Sequence, residues 1–107
     1  MRYQTGEQDG RQFPAGPWSI DFLCTEKETG DFVVLELKRG KTGDLTVGQI
    51  LRYIGWVREN LAREGQKVKG IIVAKDVDEG LRYAVHELNK VSSLTYKVDF
   101  ALTPFNK

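Results

Sequence analysis

Val33-Val34-Leu35-Glu36-Leu37-Lys38 sets an acid and a base inside an apolar run, with Trp18-Ser19-Ile20-Asp21 ahead of it and Gln49-Ile50-Leu51-Arg52-Tyr53 behind. A strand sends alternate side chains to opposite faces, so Glu36 and Lys38 share one face while Val33, Leu35 and Leu37 take the other. Ionised groups in the middle of a Val/Leu strand carry a desolvation cost that pairing only partly offsets. A bare folding requirement rarely selects that arrangement, and a functional site explains it better.

Working outward, Trp18 to Thr25 reads as a second strand interrupted by Asp21, joined to Phe32–Lys38 through the charged turn Glu26-Lys27-Glu28-Thr29-Gly30-Asp31, so the two form a hairpin. Residues 1–17 are polar and rich in Gly and Pro and predict a loop or irregular edge strand, extended around Arg11 to Phe13. After Lys38 a basic, glycine-containing loop, residues 39–44, leads to Thr46, a candidate helix cap. The helix is expected from Val47 to Arg63, closed by Gly65, with Val47, Ile50, Leu51, Ile54, Val57 and Leu61 as its buried stripe. Gln49, Arg52, Tyr53, Trp56 and Asn60 fall on the opposite side, which leaves Tyr53 and Trp56 outside the obvious core; that suits a nucleic-acid or protein contact, with core packing from a second side as the open alternative.

Lys69 to Ala74 predicts a short buried strand. A second helix opening at Asp76–Glu79 follows, with Leu81, Ala84, Val85, Leu88 and Val91 on one side. A final strand is expected over Leu94–Leu102, alternating apolar and polar. The expected fold is therefore a single α/β domain over residues 1–107, a mixed central sheet of about five strands with two helices in the order βββαβαβ. Right-handed crossovers put both helices on one sheet face. The central strands are apolar on both faces, so the other face is expected to be covered by a second chain, in a homodimer or by a partner subunit.

The 107 residues fit one domain, and a content of 40% hydrophobic and 29% charged residues is that of an ordinary globular chain. No apolar run approaches the roughly 18 residues of a membrane span, and the N-terminus lacks a signal-peptide core, so a cytoplasmic location is expected. A single Cys24 forms no internal disulfide and is expected to pack as a small apolar residue; His86, the one histidine, reads as a surface helical residue. The net charge of +1 conceals a division. Residues 1–37 carry three basic and seven acidic side chains, residues 38–75 nine and three, and residues 76–107 four and five. The middle segment, with Lys38, Arg39, Lys41, Arg52, Arg58, Arg63, Lys67, Lys69 and Lys75, has the local positive charge that a phosphate backbone requires.

Asp21, then Glu36-x-Lys38 fifteen positions on, then Gln49-xxx-Tyr53 on a helix resembles the PD-(D/E)XK nucleases, in particular the RecB-like branch with its Q-x-x-x-Y motif. Val34-Leu35-Glu36-Leu37-Lys38-Arg39-Gly40, followed by Val47-Gly48-Gln49-Ile50-Leu51-Arg52-Tyr53-Ile54-Gly55-Trp56-Val57, is similar to the nuclease domains of the NucS (EndoMS) mismatch endonuclease family. The likeness covers roughly residues 11 to 75, without the glutamate-bearing helix that members usually carry first. It implies a restriction-endonuclease-like core in which Asp21, Glu36 and the backbone carbonyl of Leu37 hold Mg²⁺ or Mn²⁺, hard cations suited to oxygen donors. It also implies that Lys38 holds the attacking water or neutralises the transition state, that Gln49 orients Lys38 or the phosphate, and that Tyr53 stands behind Gln49. Arg39, Lys41, Arg52 and Trp56 are the expected DNA contacts. The expected activity is metal-dependent endonucleolytic hydrolysis of structured, mismatched or branched DNA. Two alternatives stay open at this point: a catalytically weak DNA-binding or assembly module of the same fold, and an unrelated α/β domain in which Glu36 and Lys38 are only an ion pair.

Overall fold

The computed structural model describes residues 3–5 and 10–97. Along the chain run β1 (Tyr3–Thr5), β2 (Arg11–Ala15), β3 (Trp18–Glu26), β4 (Phe32–Thr42), α1 (Leu45–Asn60), β5 (Val68–Val77), α2 (Glu79–His86) and β6 (Val91–Thr95). The sheet order is β1-β3-β4-β5-β6, with β2 also paired to β3. β3 and β4 are antiparallel, whereas β4, β5 and β6 are parallel, so the sheet is mixed as expected.

Within the N-terminal segment residues 3–5 and 11–15 are strand. β1 and β2 lie end to end along one edge of the nine-residue β3, at Tyr3↔Glu26 and Arg11↔Phe22 respectively. Gly16, at φ 64, makes the two-residue turn between β2 and β3 possible, because a hairpin of that length needs a left-handed residue. A Cβ there would also lie 3.4 Å from the Trp56 indole nitrogen.

The helix α1 lies across β4 and β5, and Gly70 is what lets it approach: a Cβ at this position would come within 2.8 Å of Ile50 and 2.9 Å of Ile54. The core collects Ile20, Leu23 and Val34 from the antiparallel strands, Val47, Ile50, Tyr53, Ile54 and Val57 from α1, Val68 and Ile72 from β5, and Leu81 and Val91 beyond. α2 packs against both α1 and β6, which places the two helices on the same side of the sheet. Asp78 caps α2 by accepting from the Leu81 amide at 2.8 Å, and Leu81 is fully buried beneath it.

Several sequence expectations are corrected. Tyr53 is not on a free face but 4% exposed in the core, and Trp56 is half-buried with its ring edge-to-face on Phe13 at 6.5 Å. β2 supplies a second apolar wall, Phe13 and Ala15, beside the helix flank that periodicity assigns to solvent. Thr46 does not cap α1; its hydroxyl pairs with that of Thr42, and Asp44 precedes the helix without a side-chain cap bond. The helix stops at Asn60, ahead of Arg63 and Gly65, where the Asn60 amide donates to the Trp56 carbonyl at 2.9 Å and so competes with the backbone ladder.

The expected basic loop is largely strand, since β4 continues through Thr42 after a register shift between Lys38 and Lys41. β5 reaches Val77 because its ladder with β4 resumes at Lys41↔Asp76, and α2 opens only at Glu79. Val91 belongs to β6 rather than to the second helix, because Gly70↔Val91 pairing begins there. β6 therefore ends at Thr95, with Leu94 exposed; the rest of the expected Leu94–Leu102 strand, from position 98 on, lies outside the described residues. Cys24 is buried, where desolvation pushes its thiol pKa up, and His86 is exposed on α2. Among the described residues no helix is long and apolar enough to cross a membrane.

Candidate active site

The β3–β4 ladder pairs Phe22 with Leu35 at its last rung, and past that point the strands part. The Leu37 amide, left without a backbone partner on β3, donates instead to Asp21 Oδ2 at 3.0 Å. A strand residue turns its N–H and C=O to the same edge, so the Leu37 carbonyl also faces the Asp21 side. A cleft of about 290 Å³ opens in the gap, lined by Gln12, Asp21, Phe22, Leu37 and Arg39. Two larger hollows, of about 540 and 550 Å³, lie at the opposite end of the sheet, around the β3–β4 turn and the α1–β5 loop, away from Asp21, Glu36 and Lys38.

Glu36 sits on the helix-covered face of β4, only 3% exposed. Its Oε1 meets the Lys38 ammonium at 3.3 Å, while Oε2 is buried with no hydrogen-bond partner. Burial raises the Glu36 pKa above the ordinary glutamate range; the neighbouring Asp21 carboxylate adds to the rise and Lys38 opposes it. Lys38 donates to Gln49 Oε1 at 3.1 Å, and Gln49 Nε2 donates to the Tyr53 hydroxyl at 3.2 Å. Spacing i, i+2 on β4 and i, i+4 on α1 thus builds one chain of contacts from Glu36 through Lys38 and Gln49 to Tyr53.

Among the described residues no group of three or more His, Cys, Asp and Glu side chains forms a cation cage. The donors present are nonetheless of the right chemistry: two carboxylates, one with an unsatisfied buried oxygen, and a backbone carbonyl at the same strand edge. A hard cation that keeps several waters needs no more than these.

The candidate DNA contacts divide. Arg39 lines the cleft and Lys41 is exposed beyond it. Arg52 is exposed on α1 and stacks over Trp18, 5.0 Å from the ring centroid, whereas Trp56 is held in packing beneath the β2–β3 turn. Three residues outside the candidate set belong to the site's framework. Trp18, 40% exposed, is the aromatic beside the arginine. Tyr96 donates its hydroxyl to the Arg39 carbonyl at 3.0 Å, tying the register shift of β4 to the end of β6. Gln12 reaches Asp21 from β2. Tyr96 carries no sequence signal, because its pairing depends on which strands lie side by side; Trp18 and Gln12 stand three and nine positions before Asp21 in the sequence, and the structure adds what each of them touches.

Residues 10–97 match the family model described as the endonuclease NucS C-terminal domain. The chain belongs to the NucS family. It is 36% identical over 78 residues to the endonuclease NucS of Pyrococcus furiosus, spanning 73% of this chain and 28% of that protein. It is 44% identical over 73 residues to the endonuclease NucS of Methanopyrus kandleri, spanning 68% and 26%. The chain thus spans about a quarter of the length of these NucS relatives. Among solved structures, a repair endonuclease from Pyrococcus abyssi superposes with a TM-score of 0.69 at 30% identity, over 81% of this chain and 36% of that one. EndoMS in complex with double-stranded DNA gives 0.67 at 28%, over 83% and 36%. The NucS assignment carries the PD-(D/E)XK-related, restriction-endonuclease-like core with it.

Proposed function

We propose that this NucS-family domain is a Mg²⁺- or Mn²⁺-dependent endodeoxyribonuclease that hydrolyses phosphodiester bonds in structured, mismatched or branched DNA. The observation that carries the reading is Glu36: a buried carboxylate with one oxygen unsatisfied, facing Asp21 and paired to a lysine that α1 holds in place. The endonuclease activity for which its relatives are named, and the DNA held by its EndoMS relative, support the substrate class.

In this reading Asp21, Glu36 and the Leu37 carbonyl hold the cation, which when bound supplies Lewis-acid activation of water and charge neutralisation at the scissile phosphate. Lys38, fixed between Glu36 and Gln49, presents its remaining N–H to the attacking water or to a phosphate oxygen, where negative charge develops. Gln49 sets the direction of that ammonium, and Tyr53, locked in the core, sets the direction of Gln49. Arg39, Lys41 and Arg52 hold the backbone electrostatically. A second copy of the chain, or a partner subunit, covers the sheet face away from the helices, where Leu37, Val73 and Leu94 stand in register across three strands with Leu37 and Leu94 exposed.

The test is cleavage of branched, mismatched and single-stranded DNA with Mn²⁺, with Glu36→Ala as the control. Cleavage is expected in the native protein and not in the variant. Equal cleavage by both proteins would remove the reading, and DNA binding without cleavage by either would favour the weakly catalytic binding module.

A further inference from the structure

We propose that Gln12 is a positioning residue that holds the Asp21 carboxylate ready for a divalent cation; this rests on the reading of Asp21 and Glu36 as the cation site. Gln12 is the one non-glycine residue with positive φ, 50°, among the described residues. It stands inside β2, where regular pairing would keep φ negative. The β2–β3 register runs Arg11↔Phe22 and then Phe13↔Ile20. Gln12 is thus set opposite Asp21 at the rung which that register skips. A left-handed residue in a strand is disfavoured unless its surroundings impose it, and such residues gather at functional sites.

The side chain shows what is gained. Gln12 Nε2 donates to Asp21 Oδ1 at 3.5 Å, while the Ser19 hydroxyl donates to Gln12 Oε1 at 3.1 Å. With its oxygen occupied by a hydroxyl donor, the amide can present only its N–H to the carboxylate. Asp21 is therefore held from two sides, by the Leu37 backbone on Oδ2 and by Gln12 on Oδ1. An ionised carboxylate has about four lone-pair sites, so two donors leave room for a cation. The glutamine is neutral, so it orients Asp21 without the charge with which a lysine or arginine would compete for that position. It does for Asp21 what Gln49 does for Lys38, from the other edge of the cleft.

Gln12→Gly separates this role from folding, because glycine adopts positive φ freely and relieves the backbone while deleting the amide. Mn²⁺ titration calorimetry and thermal melting are to be run on the full chain for the native protein, Gln12→Gly, Gln12→Asn and Asp21→Asn. We expect Gln12→Gly to melt at or above the native temperature and to bind Mn²⁺ on the order of tenfold more weakly, as loss of a residue orienting a cation ligand typically does. Gln12→Asn, which tolerates the backbone but falls a methylene short, should lose similarly, and Asp21→Asn should lose nearly all binding. Native Mn²⁺ affinity in Gln12→Gly, with binding lost in Asp21→Asn, would overturn the proposal and leave the cation site standing. Unchanged affinity in all three variants would remove the cation site and the proposal with it. Weaker binding matched by lowered melting temperatures in both Gln12 variants would also overturn it, assigning Gln12 to the hairpin's folding.

Discussion

Glu36 is where stability and function pull apart at the scale of a single residue. A carboxyl whose pKa is higher in the folded than in the unfolded chain favours folding while protonated. Its contribution is fully present below the unfolded value and is lost as pH rises through the raised folded one. Glu36→Gln keeps the shape and removes the buried charge, so in cation-free buffer it should raise the melting temperature at neutral pH, with the gain shrinking as pH falls through the carboxylate range. Melting curves from pH 4 to pH 8 check this; a gain independent of pH would deny Glu36 the role. Lys38 differs, since an ammonium cannot ligate a cation. Lys38→Ala should reduce cleavage by roughly 10²–10³-fold, the loss typical of a group stabilising developing charge, and leave Mn²⁺ affinity intact or slightly tighter. Loss of both together would indicate misfolding.

At the scale of the element, α1 works on two sides at once. Its stripe Val47, Ile50, Ile54 and Val57 packs on β4 and β5, while Tyr53 turns toward a site residue without leaving the core. Tyr53→Ala should cost about 3–5 kcal/mol, as for other buried aromatics. Tyr53→Phe keeps the ring and deletes only the acceptor of the Gln49 amide, a change of about 0.5–1.5 kcal/mol. The phenylalanine variant should therefore melt close to native and cleave several-fold more slowly, because Gln49 then orients Lys38 less well. Comparing melting temperature with single-turnover rate tests it, and an unchanged rate would mean that Gln49 is held by Lys38 alone. Motif spacing alone makes Gln49 and Tyr53 neighbours, but the burial of Tyr53 depends on β2, whose Phe13 and Ala15 wall the helix from the side.

For the whole molecule, charge and assembly are the testable properties. Replacing Arg39, Lys41 and Arg52 together by glutamine should weaken DNA binding and flatten the slope of log affinity against log salt by roughly 0.9 for each phosphate no longer neutralised. An unchanged slope would move the DNA surface to another part of the basic middle segment, such as Arg58, Lys67 and Lys69 at the far end of the sheet. Assembly follows from the sheet. With both helices on one face, the exposed Leu37 and Leu94 on the other should drive association. Light scattering in moderate salt should give a dimer, and a double change to Glu at these two positions should give a monomer. A monodisperse native monomer would refute the covered face.

What the sequence determined by itself was local: the alternation that set Glu36 beside Lys38, the helical stripe of α1, the two crossovers through helices, and the i, i+4 pair of Gln49 and Tyr53. These depend on backbone periods of two and 3.6 residues, and no distant contact is needed to read them. Only the tertiary structure decided how β2 walls Tyr53, how the parting of β3 from β4 hands the Leu37 amide to Asp21, and how Tyr96 reaches the Arg39 carbonyl across 57 positions. Each joins residues from different strands. Such a neighbourhood is created by strand order and register, which no window along the chain contains.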